Sequence, residues 1–346
     1  MMASFTWKTG RPAGAVVGRY LMKAGAQTEQ MKCSNKSFEA GDSTGEVHAE
    51  VLHGFQTMMD CGPATEPRLR GVIGHVLASP GSLLRARLIF SIMTSNGAPR
   101  ERALALAIAV EYFHTASLIF DDMPMMDDAL ERRGSPCSHV QFGEAAAALG
   151  ALAFINRGYS LLWEVIGNLP AEDRIEASQL VANCLGTQGI LNGQSRDLNF
   201  RESARTERDV LEVANGKTVT LIRLTLLLPA IACAVDRATR IDLDELSSLW
   251  GRSYQIMDDF KDHLMSPHET GKTAARDDLL ERPNMLSAIG RDTAWRRVTG
   301  LMAGSNSLVQ SLVDRSERWH VLKLVQHALD RDQSSIENRL CVASAA

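Results

Sequence analysis

Residues 101–128 read ERALALAIAVEYFHTASLIFDDMPMMDD. Leu104, Ala107, Ile108, Tyr112, Thr115 and Leu118 recur at three- and four-residue spacing, the period of a helix with one face in a core. The same period returns in residues 145–166, 171–190, 207–235 and 242–264. Gly and Pro clusters at Ser79-Pro80-Gly81, Gly134-Ser135-Pro136 and Pro267 punctuate the helices. Gly304-Ser305-Asn306-Ser307 reads as a short polar connection ahead of a last helix around residues 317–329. No run of alternating β-branched residues stands out, so the fold class is all-α: a single-domain helical bundle over residues 46–346.

Composition narrows the function. The chain has 346 residues, 45% of them hydrophobic and only 5% aromatic, with a net charge of −4. It lacks the basic stripe with interleaved aromatics that would suggest a nucleic-acid partner. The six cysteines form no Cys-x-x-Cys pair, and free thiols in a reducing compartment are expected. No stretch reads as about 18 uninterrupted apolar residues, so no membrane span is expected. Residues 1–45 carry no acid before Glu29 and read as a flexible N-terminal tail. A cytoplasmic protein is expected, with an organellar targeting segment as the alternative reading of that tail.

The chemistry lies in two aspartate clusters. Asp258 and Asp262 are four apart, so they share one face of a helix, with Asp259 beside them. Asp121-Asp122 and Asp127-Asp128 close an apolar helix at the end where the macrodipole disfavours carboxylates, so capping cannot explain them. Pro124 pushes Met123 out of helical geometry, and Asp127 must return through a local bulge. Two all-oxygen clusters in one helical protein call for Mg²⁺, which is commonly shared between carboxylates and substrate phosphates.

These stretches resemble the trans-isoprenyl (polyprenyl) diphosphate synthases. Residues 114–136 with Phe142-Gly-Glu144 are similar to the first aspartate-rich region. The four-residue gap containing proline is similar to the bacterial and plant-type geranylgeranyl diphosphate synthases. Gln255-Ile-Met-Asp-Asp-Phe-Lys-Asp262 is similar to the second region. Gly193-Gln194 with Asp197, Lys217-Thr218, and Gly271-Lys272 with Arg276-Asp277 fall in family order.

The resemblance implies an isoprenoid-synthase bundle with a central cavity, usually a homodimer. It implies condensation of isopentenyl diphosphate with an allylic diphosphate, farnesyl diphosphate best fitting a geranylgeranyl product. Asp121, Asp122, Asp127, Asp258, Asp259 and Asp262 would hold Mg²⁺, and catalytic roles fall to Asp121, Asp122, Asp258 and Lys217. Arg132, Arg133, Lys217, Thr218, Gln255 and Lys272 would contact diphosphate, and His114 the isopentenyl diphosphate. Both Gly-Lys-Thr triplets fail as P-loops, because Leu211 and Ser266 stand where the first glycine is required.

One departure concerns the second substrate. The family's Gly-Gly-Lys-x-x-Arg is replaced by Pro80-Gly-Ser-Leu-Leu-Arg-Ala-Arg87. Two registers are open, ending on Arg85 with Ser82 in place of the lysine, or on Arg87 with Leu84 there. Ala116 and Ser117 are small where fifteen-carbon enzymes often place an aromatic. The cavity then continues another turn, about 5.4 Å, to Phe113 as a floor, which implies a twenty-carbon product.

Four alternatives are weighed. A farnesyl or other short-chain synthase differs only in product length. A class I terpene cyclase would mix Asn, Ser or Thr and Glu into its second metal motif. A non-catalytic regulatory subunit of a heteromeric synthase would not need both clusters. Glu111-x-x-His114 and Glu317-x-x-His320 repeat the pairing of di-iron carboxylate bundles, but that reading leaves the aspartates unexplained.

Overall fold

The helix read from residues 101–128 is the centre of the molecule. It runs from Arg100 to Asp121 (α4) and buries residues on nearly every side, Ala103, Leu106, Ile108, Val110 and Tyr112 among them. The computed structural model describes residues 42–264 and 282–345, with side chains from 45 to 264 and from 282 to 341. Lys272, Gly271, Arg276, Asp277 and Pro267 lie outside the described residues.

Ahead of α4 lie α1 (Asp42–Thr57), α2 (Pro67–Ala78) and α3 (Leu84–Ser95). A two-stranded hairpin, β1 (Glu131–Arg132) with β2 (Ser135–Pro136), leads to α5 (Ser138–Phe142), α6 (Glu144–Ile166), α7 (Ala171–Leu185) and α8 (Ile190–Leu198). Then come α9 (Glu207–Ala214), α10 (Thr220–Ala232) and α11 (Arg237–Leu264). Past the undescribed residues are α12 (Met285–Ile289), α13 (Arg291–Arg315) and α14 (Leu322–Ala345). The all-α expectation holds, and the described residues from 46 onward form one compact unit.

Two apolar cores share α3 and α10 as their common wall. Ile89, Phe90 and Met93 face the core around α4, α6 and α7, while Leu88 and Ile92 face the core around α11, α13 and α14. On α10, Leu224, Leu228 and Ile231 turn one way and Leu226, Leu227 and Ala230 the other. Helices apolar on all sides belong inside a bundle. The Tyr112 hydroxyl donates to the Phe55 carbonyl at 2.8 Å and ties α4 to α1.

Four local expectations change. Gly304–Ser307 is no connection, for α13 runs straight through it. Ser305 is fully buried, with its hydroxyl bonded to the Met302 carbonyl, and Asn306 donates to Asp330 of α14. Small residues there thin a helix contact instead of turning the chain. The last helix spans Leu322–Ala345, and residues 317–319 form a 3₁₀ turn capped by Ser316. The stretch 207–235 is broken by a π-helical turn at Asn215–Val219. By length and composition α4 and α6 are apolar enough to cross a bilayer, a property that core helices share, and α4 is the more deeply covered of the two.

Candidate active site

The end of α4 shapes the first cluster. Asp121 is its last residue and Asp122 its C-cap. The Met126 N–H donates to the Met123 carbonyl, and the Asp127 N–H reaches back to the Asp121 carbonyl at 2.9 Å. This is the bulge that Pro124 demanded, and it sets Asp127 beside Asp121. Asp122 takes another direction. Both of its oxygens accept from the Arg132 guanidinium, at 2.7 to 2.9 Å, and it is buried away from the large cavity described below. Neighbours on a helix diverge by about 100°, so adjacent aspartates cannot share one task.

The hairpin places the arginine pair. Arg133 and Gly134 both have positive φ, 55° and 74°, which is the two-residue turn that suits a twisted hairpin. Arg133 Nη1 donates to the Ser79 carbonyl at 3.0 Å, and its guanidinium lies against Gly81, where any Cβ would collide with it. Gly81 has a φ of 73°, a conformation that other residues adopt only under strain, and its missing side chain leaves room for the guanidinium.

A second glycine contact places Lys217. Gly193 of α8 and Gly216 of the π-turn touch backbone to backbone, and a Cβ on either would strike the other segment. π-Helical turns of this kind are frequent at functional sites. The turn presents Lys217 Nζ to Asp197 Oδ2 at 2.8 Å. Thr218 Oγ1 donates to Gln255 Oε1 at 3.2 Å, and Gln255 Nε2 donates to Asp259 Oδ1 at 3.2 Å. The other Asp259 oxygen accepts the Met285 N–H at 2.7 Å. Asp259 lines the cavity together with Asp258 and Asp262, which lie one turn apart, but it is the buried one and both of its oxygens are already bonded.

That cavity has a volume of about 680 Å³. Its polar end carries Asp121, Asp127, Asp258, Asp262, Lys217 and Arg282. Its apolar end holds Phe113, Ala116, Ser117, Ile155 and Tyr159. Phe113 meets Tyr159 of α6 edge to face, centroids 4.8 Å apart. Arg85, His114, Arg132 and Arg133 line one wall. The register question resolves here: Arg85 faces the cavity, while Arg87 lines no part of it and sits within electrostatic reach of His48. Ser82 and Leu84 do not line the cavity either, and Ser82 is exposed.

Sequence reasoning missed Arg282 and Tyr159. Arg282 Nη2 donates to Asp127 Oδ1 at 2.5 Å, and Nη1 lies 3.6 Å from Asp197 Oδ2. These partners are far apart in the chain, and no local pattern marks them. The two Glu-x-x-His motifs do not converge. Glu111 is buried and accepts the Ala86 N–H at 3.2 Å, capping α3 from α4, while His320 is exposed beside the 3₁₀ turn.

Comparison with known proteins settles the family. The polyprenyl synthetase family model matches residues 66–292. The chain belongs to that family. It is 36% identical over 195 residues to a geranylgeranyl diphosphate synthase of Pseudescherichia vulneris, covering 56% of this chain and 62% of that protein. It is 28% identical over 233 residues to a farnesyl diphosphate synthase of Geobacillus stearothermophilus, covering 66% of this chain and 77% of that one. The Helicobacter pylori geranyltransferase structure, complexed with magnesium and isoprenyl diphosphate, has the same fold. Its TM-score is 0.73 at 20% identity, over 84% of this chain and 99% of that chain.

Electrostatics set the working state of this polyprenyl synthetase site. Burial pushes the Asp121 carboxyl up to about 6, with Lys217 opposing and Asp127 adding to the rise. Burial pushes Asp259 up to about 7, against the Met285 N–H and Gln255, with Asp258 and Asp262 adding to the rise. Burial works against the Lys217 charge, but Asp121 and Asp197 outweigh it and raise its pKa. His114 is held well below its ordinary value by burial and then by Arg85, Arg133 and Arg132, so it stays neutral. These carboxylates are the hard oxygen donors that Mg²⁺ takes, and among the described residues no three His, Cys, Asp or Glu side chains are yet drawn together into a metal-holding group.

A pH signature follows. Asp121 and Asp259 bind a proton more readily in the folded state than at the ordinary aspartate value of 3.8. At these two carboxyls the metal-free folded protein holds more protons than the unfolded chain between about pH 4 and pH 7, so their contribution to stability falls as pH rises through that window. Buried Glu111 acts in the same sense, and the depressed His114 and His48 act in the opposite sense below their ordinary value of 6.5. Asp209 and Asp236, lowered by the hydrogen bonds from Thr206 and Thr239, act only at lower pH. In EDTA the melting temperature of the unaltered protein, taken relative to that of Asp259→Asn, is expected to fall from pH 5 to pH 8, because only the unaltered protein carries the titrating carboxyl. A difference that rises from pH 5 to pH 8 would contradict this.

Proposed function

We propose that the protein is a Mg²⁺-dependent trans-prenyltransferase that condenses isopentenyl diphosphate with an allylic diphosphate, and that its main product is geranylgeranyl diphosphate. The observation that carries the reading is one cavity lined both by the two aspartate clusters with Lys217 and by the apolar Phe113, Ala116, Ile155 and Tyr159. A diphosphate needs the first and a prenyl chain the second.

Asp121 and Asp127 from one side and Asp258 and Asp262 from the other would hold the metal, which supplies charge that stabilises the departing diphosphate. Asp122 instead orients Arg132, and Asp259 anchors the chain after the undescribed residues; both were expected as direct ligands. Lys217 and Arg132 face the allylic diphosphate, with Lys272 assigned there by family resemblance. Thr218 and Gln255 hold the second cluster in place. Arg85, Arg133 and His114 form the wall for isopentenyl diphosphate, and Ser82 leaves that wall one cation short of the family pattern. As the allylic C–O bond breaks, the isopentenyl double bond attacks the cation, and loss of a proton completes the longer chain. Preorganised cations around the leaving group lower that barrier.

Product length depends on the apolar end. Ala116 and Ser117 leave the upper turn open, and the Phe113–Tyr159 pair closes the lower one. Relatives include both geranylgeranyl and farnesyl diphosphate synthases, so a fifteen-carbon product is the second reading. With farnesyl diphosphate, isopentenyl diphosphate and Mg²⁺, the expected product has twenty carbons, and Phe113→Ala should lengthen it by at least one unit. A fifteen-carbon end product from the unaltered protein, or an unchanged length in Phe113→Ala, would sink the floor assignment. No condensation with any allylic primer would sink the enzyme itself.

The homodimer is proposed on α6. Leu149, Leu152 and Trp163 are 54%, 53% and 48% exposed and fall within about 60° of one another around the helix. Water-facing apolar stripes of this kind mark pairing surfaces. Light scattering should give twice the chain mass, with Leu152→Glu shifting it toward the monomer. A monomeric unaltered protein would refute the pairing.

A further inference from the structure

Arg282 joins the two clusters through a short strap. Its side chain is 8% exposed. Nη2 donates to Asp127 Oδ1 at 2.5 Å and to the Met126 carbonyl at 3.2 Å, and Nη1 lies 3.6 Å from Asp197 Oδ2. Asp197 also accepts from Lys217 at 2.8 Å. Three residues on, the Met285 N–H holds Asp259 of the other cluster. Pro283 and the N-cap Asn284, whose side chain accepts the Ser287 N–H at 3.1 Å, fix the segment between these two attachments.

The guanidinium covers an oxygen that the proposed function gives to the metal. A guanidinium and a divalent cation brought to the same carboxylate repel each other, and an anion lying between their charges relieves that repulsion. Arg282 Nε is buried and has no hydrogen-bond partner among the described residues. Arg282 lines the same cavity as Lys217, and its planar fork suits phosphate oxygens.

We propose that Arg282 is a resident counter-ion of the first aspartate cluster. It holds Asp127 while metal and diphosphate are absent, and it transfers to the diphosphate when both are bound. Metal binding is thereby coupled to diphosphate binding, and by linkage the coupling is reciprocal. The inference rests on the reading of Asp127 as a metal ligand.

The test is Mn²⁺ binding, followed by electron paramagnetic resonance, to the full chain and to Arg282→Gln, each with and without inorganic pyrophosphate. Without pyrophosphate, Arg282→Gln should bind Mn²⁺ more tightly, by roughly 5-fold or more, within the usual range of coupling between sites. The gain that pyrophosphate gives the unaltered protein should shrink in the variant by the same factor. Arg282→Lys keeps the charge and should fall between the two, which preserves the test if Arg282→Gln does not fold. A variant affinity equal to or weaker than that of the unaltered protein, with Mn²⁺ bound in both, overturns this inference alone. No Mn²⁺ binding in any form, with or without pyrophosphate, overturns both the inference and the metal reading beneath it.

Discussion

Unbalanced negative charge inside an apolar bundle is the constraint on which this structure turns. Asp121, Asp127, Asp258 and Asp262 face one cavity, and Asp197 stands beside them. Burial, with neighbouring carboxylates adding to it, drives Asp121 up to about 6 and Asp259 up to about 7. Every unusual local feature nearby brings a cation or a donor to that charge. The π-turn and the Gly193–Gly216 contact deliver Lys217, the strained Arg133-Gly134 turn completes the hairpin that holds Arg132 on Asp122, and the strap from Arg282 to Met285 reaches both clusters.

Much of this was legible in the sequence. Helical periodicity exposed α4, α6 and α11, and the paired aspartate clusters named a hard cation and a phosphate ligand before any fold was known. The bulge at Pro124 followed from a local steric rule. What stayed hidden was long-range or angular. Adjacent letters such as Asp121 and Asp122, or Asp258 and Asp259, read as one motif, yet a helix sends neighbours to different partners. Arg85 and Arg87 could be separated only by the cavity that one of them faces. Gly304–Ser307 looked like a turn because small polar residues make turns, but they also thin a helix contact, and only α14 packed beside them decides the matter.

The opposite end of the cavity obeys simpler physics. Phe113 was visible one turn below Ala116 and Ser117, but Tyr159 sits on another helix and closes the floor with it. Gly158 lets α6 approach, since a Cβ there would press on the Ala109 carbonyl and the Phe113 ring, both at 3.2 Å. On the proposed reading, these two aromatics on facing helices set the depth and the charged mouth sets the chemistry.

The most direct measurement is anomalous diffraction from crystals grown with Mn²⁺ and a non-reactive thiolo analogue of an allylic diphosphate. Manganese is expected between Asp121 and Asp127 on one side and Asp258 and Asp262 on the other, with the diphosphate against Lys217 and the prenyl chain pointing to Phe113. Manganese bound at only one cluster, or a diphosphate lodged outside the cavity, would contradict the account.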